Sequence, residues 1–391
     1  MAVSRVKAYR GPALFSYGFR PFFLCGALYA AVAIIGWMGL YTGHGSLPTG
    51  FAPLAWHTHE MIYGWLAAII TGFLLTAVPN WTGGLPLAGA PLAGLLSLWL
   101  TGRIAVAFSA WLGWPLAAML DCLFLAAVVA AILREIVAGK NWQNLKIVVI
   151  VSLLLAGNIA FHLETWLSGA AAYSQRAGIA CVVALLMLIG GRIVPSFTRN
   201  WLARRQSPSL PSPFGRFDLV ALAASFVALA IWVAVPDHPA AGVTLLLAGL
   251  LQLARLCRWA GYRTVEDRLV LVLHAGYAFI PLGFGLQAAA AFGIAPASAG
   301  VHAWMAGAAG TMTLAVMTRA TLGHTGRALE ADRATQAIYA AIVLAAMLRI
   351  AAALLPDLAW ALVIAAACGW CFAQLGFVLV YGRYLLAPRL Q

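Results

Sequence analysis

Continuous apolar segments recur along the whole chain and restrict the folds that it can adopt. A membrane-spanning helix needs about 20 mostly apolar residues, whereas the strands of a membrane barrel alternate polar and apolar side chains. These segments are continuously apolar and lie at residues 21–41, 57–78, 91–108, 115–137, 145–167, 178–195, 219–235, 242–256, 269–292, 301–317, 335–355 and 358–380. The sequence therefore predicts an all-α membrane protein, a polytopic bundle of about 12 transmembrane helices.

The overall composition supports the same fold class. Of 391 residues, 63% are hydrophobic and only 9% are charged, whereas soluble domains carry about 25% charged residues. A soluble protein of this length would need more polar side chains than the chain has to cover its core. The lipid bilayer is therefore the principal partner that the sequence predicts.

Basic residues lie mainly in every second connection between the apolar segments. They cluster before the first segment and at the end of or after the fourth, sixth, eighth, tenth and last, for example at Arg255 and Arg258 at the end of the eighth. The intervening connections together hold one basic residue, Arg176. Since positively charged connections stay in the cytoplasm, both termini are predicted to be cytoplasmic. The formal charge of +13 then reflects membrane orientation, and no nucleic-acid binding is expected.

One connection is longer than the others and rich in Pro, Ser and Arg. It covers residues 199–218 and lies on the predicted cytoplasmic side, between the sixth and seventh apolar segments. It separates two six-helix halves that show no internal sequence repeat. We therefore expect a single integral membrane domain that comprises residues 1–391.

The second apolar segment opens with the motif WHTHEM, which places His57, His59 and Glu60 close together. Ionisable side chains at membrane depth are costly and usually serve a function, and imidazole is a common ligand of haem iron and copper. On a regular helix, His57 and His59 are about 200° apart and cannot face one site, whereas His57 and Glu60 share a face. Alternatively, the helix begins after Trp56 with an irregular turn, which changes these directions.

Three further histidines lie within or at the ends of predicted spans. His162 is in the outer third of the fifth span, His302 begins the tenth at its outer end, and His274 begins the ninth toward the cytoplasm. Histidines at span ends can also cap helices or hydrogen-bond at the interface, and for His162 the two interpretations remain open. Together with His57 and His59, these residues are the candidate metal ligands.

Several arginines reach membrane depth, among them Arg20, Arg103 and Arg319. A guanidinium near a span end can extend to the interface. It can also pair with a haem propionate or a substrate anion, since it binds carboxylates through two hydrogen bonds. The sequence has no CxxCH haem-attachment motif and no GxxxxGK[ST] nucleotide loop, which disfavours covalent haem and ATP-driven transport.

Five sequence blocks together resemble the NnrS family. They are RPFF at 20–23, the run from WHTHEMIYGW to GFLLTAVPNWTG at 56–83, NIAFHLE at 158–164, HAGYAFIPLG at 274–283 and GTMTLAVMTRATLGHTGR at 310–327. The resemblance extends from the first to the eleventh span. It implies a polytopic protein of the bacterial inner membrane, of about twelve helices, that contains haem and copper and is associated with denitrification and the response to nitric oxide.

The resemblance leads to a specific expectation for a haem. We predict a non-covalent haem b between the second and tenth spans near the periplasmic side, with His57 and His302 as its axial ligands. Glu60 is predicted to accept the second ring proton of His57 and so to fix its tautomer. Arg103 or Arg20 is expected to contact a propionate, and His59 is the reserve ligand.

The copper ion is implied by the resemblance alone, and His59, His162 and His274 are its candidate ligands. The predicted function is nitric oxide metabolism or protection from nitrosative stress, with nitric oxide as a small ligand of a redox protein. The alternative is a transporter or channel whose polar residues line a path for a metal, haem or a small anion. Spectroscopy of the purified protein distinguishes the two.

Overall fold

The computed structural model describes residues 9–390, and these residues form long helices without any strand. The long helices are α1 (Phe19–Thr42), α2 (Pro53–Thr82), α3 (Ala90–Ala107), α4 (Trp114–Ala138), α5 (Leu145–Ser168), α6 (Tyr173–Arg204), α7 (Arg216–Ala234), α8 (Pro239–Cys257), α9 (Arg268–Ala291), α10 (297–324), α11 (Arg333–Leu354) and α12 (Ala359–Leu386). Each predicted apolar segment coincides with one of these helices. The prediction of an all-α, polytopic membrane protein is therefore confirmed.

Within residues 9–390, eleven helices are long and apolar enough to cross a membrane. The exception is α10, whose sequence carries several Gly and Thr residues among its apolar side chains. The largest difference in bounds concerns α6, which begins before the predicted segment 178–195 and extends nine residues beyond it, to Arg204. The helix continues past the apolar segment, and its last residues Leu202, Ala203 and Arg204 are good helix formers. The non-helical part of the predicted linker shrinks to 205–215.

The described chain packs as two compact units. Unit 1 comprises residues 9–181, 320–327 and 377–390, and unit 2 comprises residues 182–319 and 328–376. The division after Cys181 falls inside α6 and not in the connection 199–218. Packing against neighbouring helices therefore divides the chain at a different place from the polar linker.

Two of the helices contain a π-helical segment directly after a histidine. In α2 the segment Glu60–Leu66 follows His59, and in α10 the segment Ala303–Ala309 follows His302. Such segments shift the hydrogen-bond ladder by one residue and are frequent at functional sites. In α2 the indole of Trp99 donates a hydrogen bond of 2.8 Å to the Gly64 carbonyl inside the segment, which supports the irregular turn. The sequence-based alternative, a helix that begins after Trp56 with an irregular turn, is wrong, because α2 begins at Pro53 and is a regular α-helix through His59.

Arg20, at the start of α1, is buried and caps the C-terminal end of α12. Its Nη1 atom donates to the carbonyl oxygens of Leu385 and Ala387, each at 2.7 Å. The last carbonyls of a helix lack partners within the helix and carry partial negative charge, so a guanidinium stabilises them. The Arg20 side chain therefore caps a helix and does not extend to the membrane interface. Its contact with a haem propionate stays a prediction.

The predicted arrangement of twelve spans generates a topological prediction, because an even number of crossings would return the chain to the side on which it began. Reporter fusions after Arg205 and after residue 391 should both report a cytoplasmic location. A fusion after His44, in the connection between α1 and α2, is the control and should report the opposite side. The same location for all three fusions would contradict the arrangement.

Candidate metal centre

A cluster of buried polar side chains lies in unit 1, where α4 packs against α2, α3 and α5. Each of these side chains is at most 5% exposed, and the cluster consists of His59, Glu60, Arg103, Asp121, Asn158 and His162. Every member is a polar residue inside an otherwise apolar helix. Such side chains turn toward one another because hydrocarbon offers them no hydrogen-bond partner.

Three members of the cluster bring metal-ligand atoms together. His59, Asp121 and His162 each offer one such atom, and these atoms lie within 4.8 Å of one another. The Asp121 Oδ2 atom is 3.2 Å from His59 Nε2 and 3.0 Å from His162 Nε2. Among the residues that the structure describes, this is the one group of three or more His, Cys, Asp or Glu side chains with such spacing.

Two neighbouring side chains fix the orientation of this triad. The Glu60 Oε1 atom lies 2.8 Å from His59 Nδ1. The Asn158 side chain places its Oδ1 atom 3.0 Å from His59 Nε2 and donates from Nδ2 to Asp121 Oδ2 over 2.8 Å. A carboxylate on the far nitrogen of a histidine is the usual support of a metal ligand, because it fixes the ring and its tautomer.

Both ring nitrogens of His59 therefore face oxygen acceptors. A neutral imidazole has one N–H and can donate a hydrogen bond to the acceptors at only one of its two nitrogens. The geometry requires either a proton on each nitrogen or a cation beside Nε2. A metal ion among His59, Asp121 and His162 meets this requirement, so the triad fits a metal ion.

The charges of the cluster lead to the same conclusion. Arg103 donates from Nη1 to Glu60 Oε1 at 2.5 Å and from Nη2 to Asp121 Oδ1. With neutral histidines, two carboxylates face one guanidinium, which leaves one buried negative charge without a counter-charge. Burial of an unpaired charge is very unfavourable, so the site favours one more positive charge, either a second proton on an imidazole or a metal ion.

Aromatic rings pack around the His59 ring of the triad. The rings of Phe51, Tyr63 and Phe161 have their centroids 5.2–5.3 Å from that of His59. The Tyr29 hydroxyl donates to the second carboxylate oxygen of Glu60. These side chains keep water away and strengthen the electrostatic interactions inside the cluster.

The donor set restricts the kind of metal. Two imidazole nitrogens and one carboxylate oxygen suit copper, zinc or iron in the divalent state, whereas Cu(I) prefers thiolate and thioether sulfur. Three protein ligands also leave coordination positions for a small exogenous ligand. The triad can therefore hold a metal ion with an open position.

The structure brings together some of the predicted site residues. His59, Glu60, Arg103 and His162 lie in one cluster, whereas His274 lies in unit 2. Arg103 is buried and forms ion pairs, so its side chain does not extend to the membrane interface. Its contact with a haem propionate stays a prediction. Glu60 contacts His59, although a regular helix would direct it toward His57, because the helix changes to π geometry at Glu60.

His274 occupies a different environment. It is 6% exposed, and its Nε2 atom is 2.8 Å from the hydroxyl of Thr198. That hydroxyl donates to the Val194 carbonyl, so His274 Nε2 is the donor to Thr198. Among the described residues, His274 does not belong to any group of three or more metal-ligand side chains.

The two predicted haem ligands belong to different units. His57, in unit 1, is stacked on Trp37 with ring centroids 4.5 Å apart. His302, in unit 2, has its Nδ1 atom 2.7 Å from the Ser298 carbonyl, which places the ring proton on Nδ1 and the lone pair on Nε2. His57 and His59 contact different partners, as their spacing predicts. The pairing of His57 with His302 at a haem stays a prediction.

Asp121 was not among the predicted site residues, although it is the centre of the cluster. It is one of two carboxylates inside the predicted span 115–137, the other being Glu135 near its inner end, and a carboxylate at the depth of Asp121 is itself a signal of function. Sequence analysis also assigned Arg255 to a cytoplasmic connection. In the structure Arg255 is buried and donates from Nε to Asp218 over 2.9 Å, because a carboxylate on the neighbouring helix draws it inward.

The fold and the cluster define a multi-pass membrane protein with a buried site of metal-ligand residues. A family model described as NnrS protein matches residues 13–389. The chain therefore belongs to the NnrS family, as the sequence blocks predict. A comparison with curated proteins found no match.

The charge balance of the cluster can be tested by replacement of its guanidinium. Arg103→Gln should lower the free energy of unfolding by about 3–5 kcal/mol, because it leaves two buried carboxylates without their cation. The double replacement Arg103→Gln and Glu60→Gln removes one charge of each sign and should recover part of that loss. The apparent unfolding temperature in detergent measures both effects.

The matched control is Arg134→Gln, since Arg134 also forms an ion pair but its side chain is 70% exposed. Exposed pairs contribute at most about 1 kcal/mol, so this variant should unfold near the temperature of the parent protein. A double variant less stable than Arg103→Gln alone would contradict the charge balance.

Proposed function

We propose that the chain is a haem- and copper-binding protein of the bacterial inner membrane that acts in nitric oxide metabolism and protects against nitrosative stress. The observation that carries this proposal is the buried triad of His59, Asp121 and His162. The triad supplies nitrogen and oxygen donor atoms, it is buried, and its surroundings carry one more negative charge than positive charge when the histidines are neutral. Membership of the NnrS family supports the same function.

In this proposal the triad holds the copper ion. His59 and His162 supply imidazole nitrogens, and Asp121 supplies a carboxylate oxygen. When bound, copper would supply one-electron chemistry and a coordination position for nitric oxide. Glu60 orients His59, and Arg103 keeps Asp121 ionised and directed toward the two histidines.

The proposed haem is held by His57 and His302. The hydrogen bond from His302 Nδ1 to the Ser298 carbonyl sets the tautomer that iron ligands use. Trp37 stacks on the His57 ring and restricts its rotation. The π-helical segments that follow His59 and His302 give both helices an irregular turn beside the candidate ligands. Haem would be of the b type, since the chain lacks a CxxCH motif.

The test is the metal content of single variants of the purified protein. His59→Ala, His162→Ala and Asp121→Asn should each lose most of the copper, while His44→Ala should retain it because His44 is exposed in a connection. Haem per protein should fall in His57→Ala and His302→Ala and stay unchanged in His59→Ala. Elemental analysis and absorption spectra measure the two contents.

Size-exclusion profiles of the same samples identify any variant that fails to fold. Full copper in all three triad variants would contradict the copper site. Full haem with an unchanged spectrum in both His57→Ala and His302→Ala would contradict the haem site.

The physiological role is tested with a strain that lacks the protein. Such a strain should grow worse than its parent under nitric oxide but not under hydrogen peroxide. Expression of the parent protein should restore growth, whereas expression of the Asp121→Asn variant should not. Equal growth under nitric oxide, with copper or haem uptake altered instead, would contradict this role and favour the transporter.

A further inference from the structure

A second site, in unit 2, is a cavity of about 640 Å³ on the predicted cytoplasmic side. It lies where α6 ends, where α9 and α11 begin, and beside the C-terminal part of α10. Charged side chains dominate its wall, and they include Arg204, Arg205, Glu266, Asp267, Arg268 and Arg319. We call this cavity the arginine pocket. It shares no residue with the cluster around Asp121.

Arg319 is the most informative side chain of the arginine pocket. Its guanidinium stacks on the Phe197 ring, with the central carbon 4.1 Å from the ring centroid. Its Nη1 atom is buried and has no hydrogen-bond partner among the described residues. A buried donor without a partner costs about 1–3 kcal/mol. Stacking therefore fixes the plane of the guanidinium, and its Nη1 atom is a hydrogen-bond donor that lacks an acceptor within residues 9–390.

Two of the three carboxylates of the pocket already have partners. Glu266 forms an ion pair of 2.5 Å with Arg205. Asp267 is the N-cap of α9 and accepts from the Val270 amide over 3.2 Å. With Glu330, these make three carboxylates against four arginines. The pocket therefore has an excess of positive charge.

The backbone adds to this positive field. α9 has 24 residues and begins at the pocket with Arg268. A helix of this length carries a partial positive charge at its N-terminus, where anions are stabilised. Arg204, Arg268 and Arg319 also come from three different elements.

We propose that the arginine pocket binds an anion that carries a phosphate group. Guanidinium groups bind phosphate through paired hydrogen bonds, and stacking on an aromatic ring prepares them for it. A cavity of this volume has room for an organic molecule attached to the phosphate. The phosphate group is common to soluble phosphate esters and to anionic lipid headgroups, so the experiment includes both sources.

Isothermal titration of the full-length protein in detergent tests the proposal. The probes are inorganic phosphate, glycerol 3-phosphate and a short-chain phosphatidylglycerol below its micelle concentration, with potassium chloride at matched ionic strength as the blank. At least one probe should bind once per protein. Binding of the lipid alone identifies a headgroup site, and binding of a soluble probe identifies a soluble ligand.

The variant Arg319→Gln should weaken that binding at least tenfold. Its matched control is Arg258→Gln, because Arg258 also stacks on an aromatic ring, Phe217, but lies outside the pocket. If Arg319→Gln does not fold, Arg319→Lys serves instead, because it keeps the charge and loses the paired hydrogen bonds. Absence of binding by every probe, or equal affinity in the pocket variant and the control, would overturn the proposal.

Discussion

The architecture depends on one constraint, which is that a charge buried among membrane helices must meet an opposite charge or a hydrogen-bond donor. Asp121 on α4 satisfies it by contact with Arg103, Asn158 and His162, which come from the two helices on either side. These contacts fix the rotation of each helix about its own axis. In unit 2, Arg255 meets the same constraint through Asp218. Buried polar pairs thus specify packing that apolar surfaces alone would leave ambiguous.

The cluster around Asp121 also shows how a structural ion pair differs from a metal centre. In unit 2, the pair of Arg255 and Asp218 balances its charges, and the Tyr277 hydroxyl lies 3.0 Å from the guanidinium. The unit 1 cluster, by contrast, has a second carboxylate, Glu60, and two imidazoles. Its charges balance only with one additional positive charge, either a second proton on His59 or a metal ion, and its nitrogen and oxygen atoms lie close enough together to hold the metal ion. We therefore regard only the unit 1 cluster as a candidate metal centre.

Hydropathy alone predicted the helices because the bilayer requires long apolar segments, and those segments can be read directly from the sequence. His59, Glu60, Arg103 and His162 were identified because ionisable residues at membrane depth are rare. Which of them meet could not be predicted, since the contacts depend on helix rotation and on the π-helical segment that begins at Glu60. Asp121 could have been found by the same criterion as the histidines. The arginine pocket could not, because its residues come from distant parts of the chain.

The most direct test of a metal ion at the triad is X-ray absorption spectroscopy at the copper edge of the purified protein. The account predicts nitrogen and oxygen neighbours at about 2.0–2.2 Å, with the outer-shell scattering of two imidazole rings and no sulfur neighbour. Asp121→Asn should change this spectrum even where some copper remains. A spectrum dominated by sulfur, or one identical in the parent protein and Asp121→Asn, would contradict the central claim.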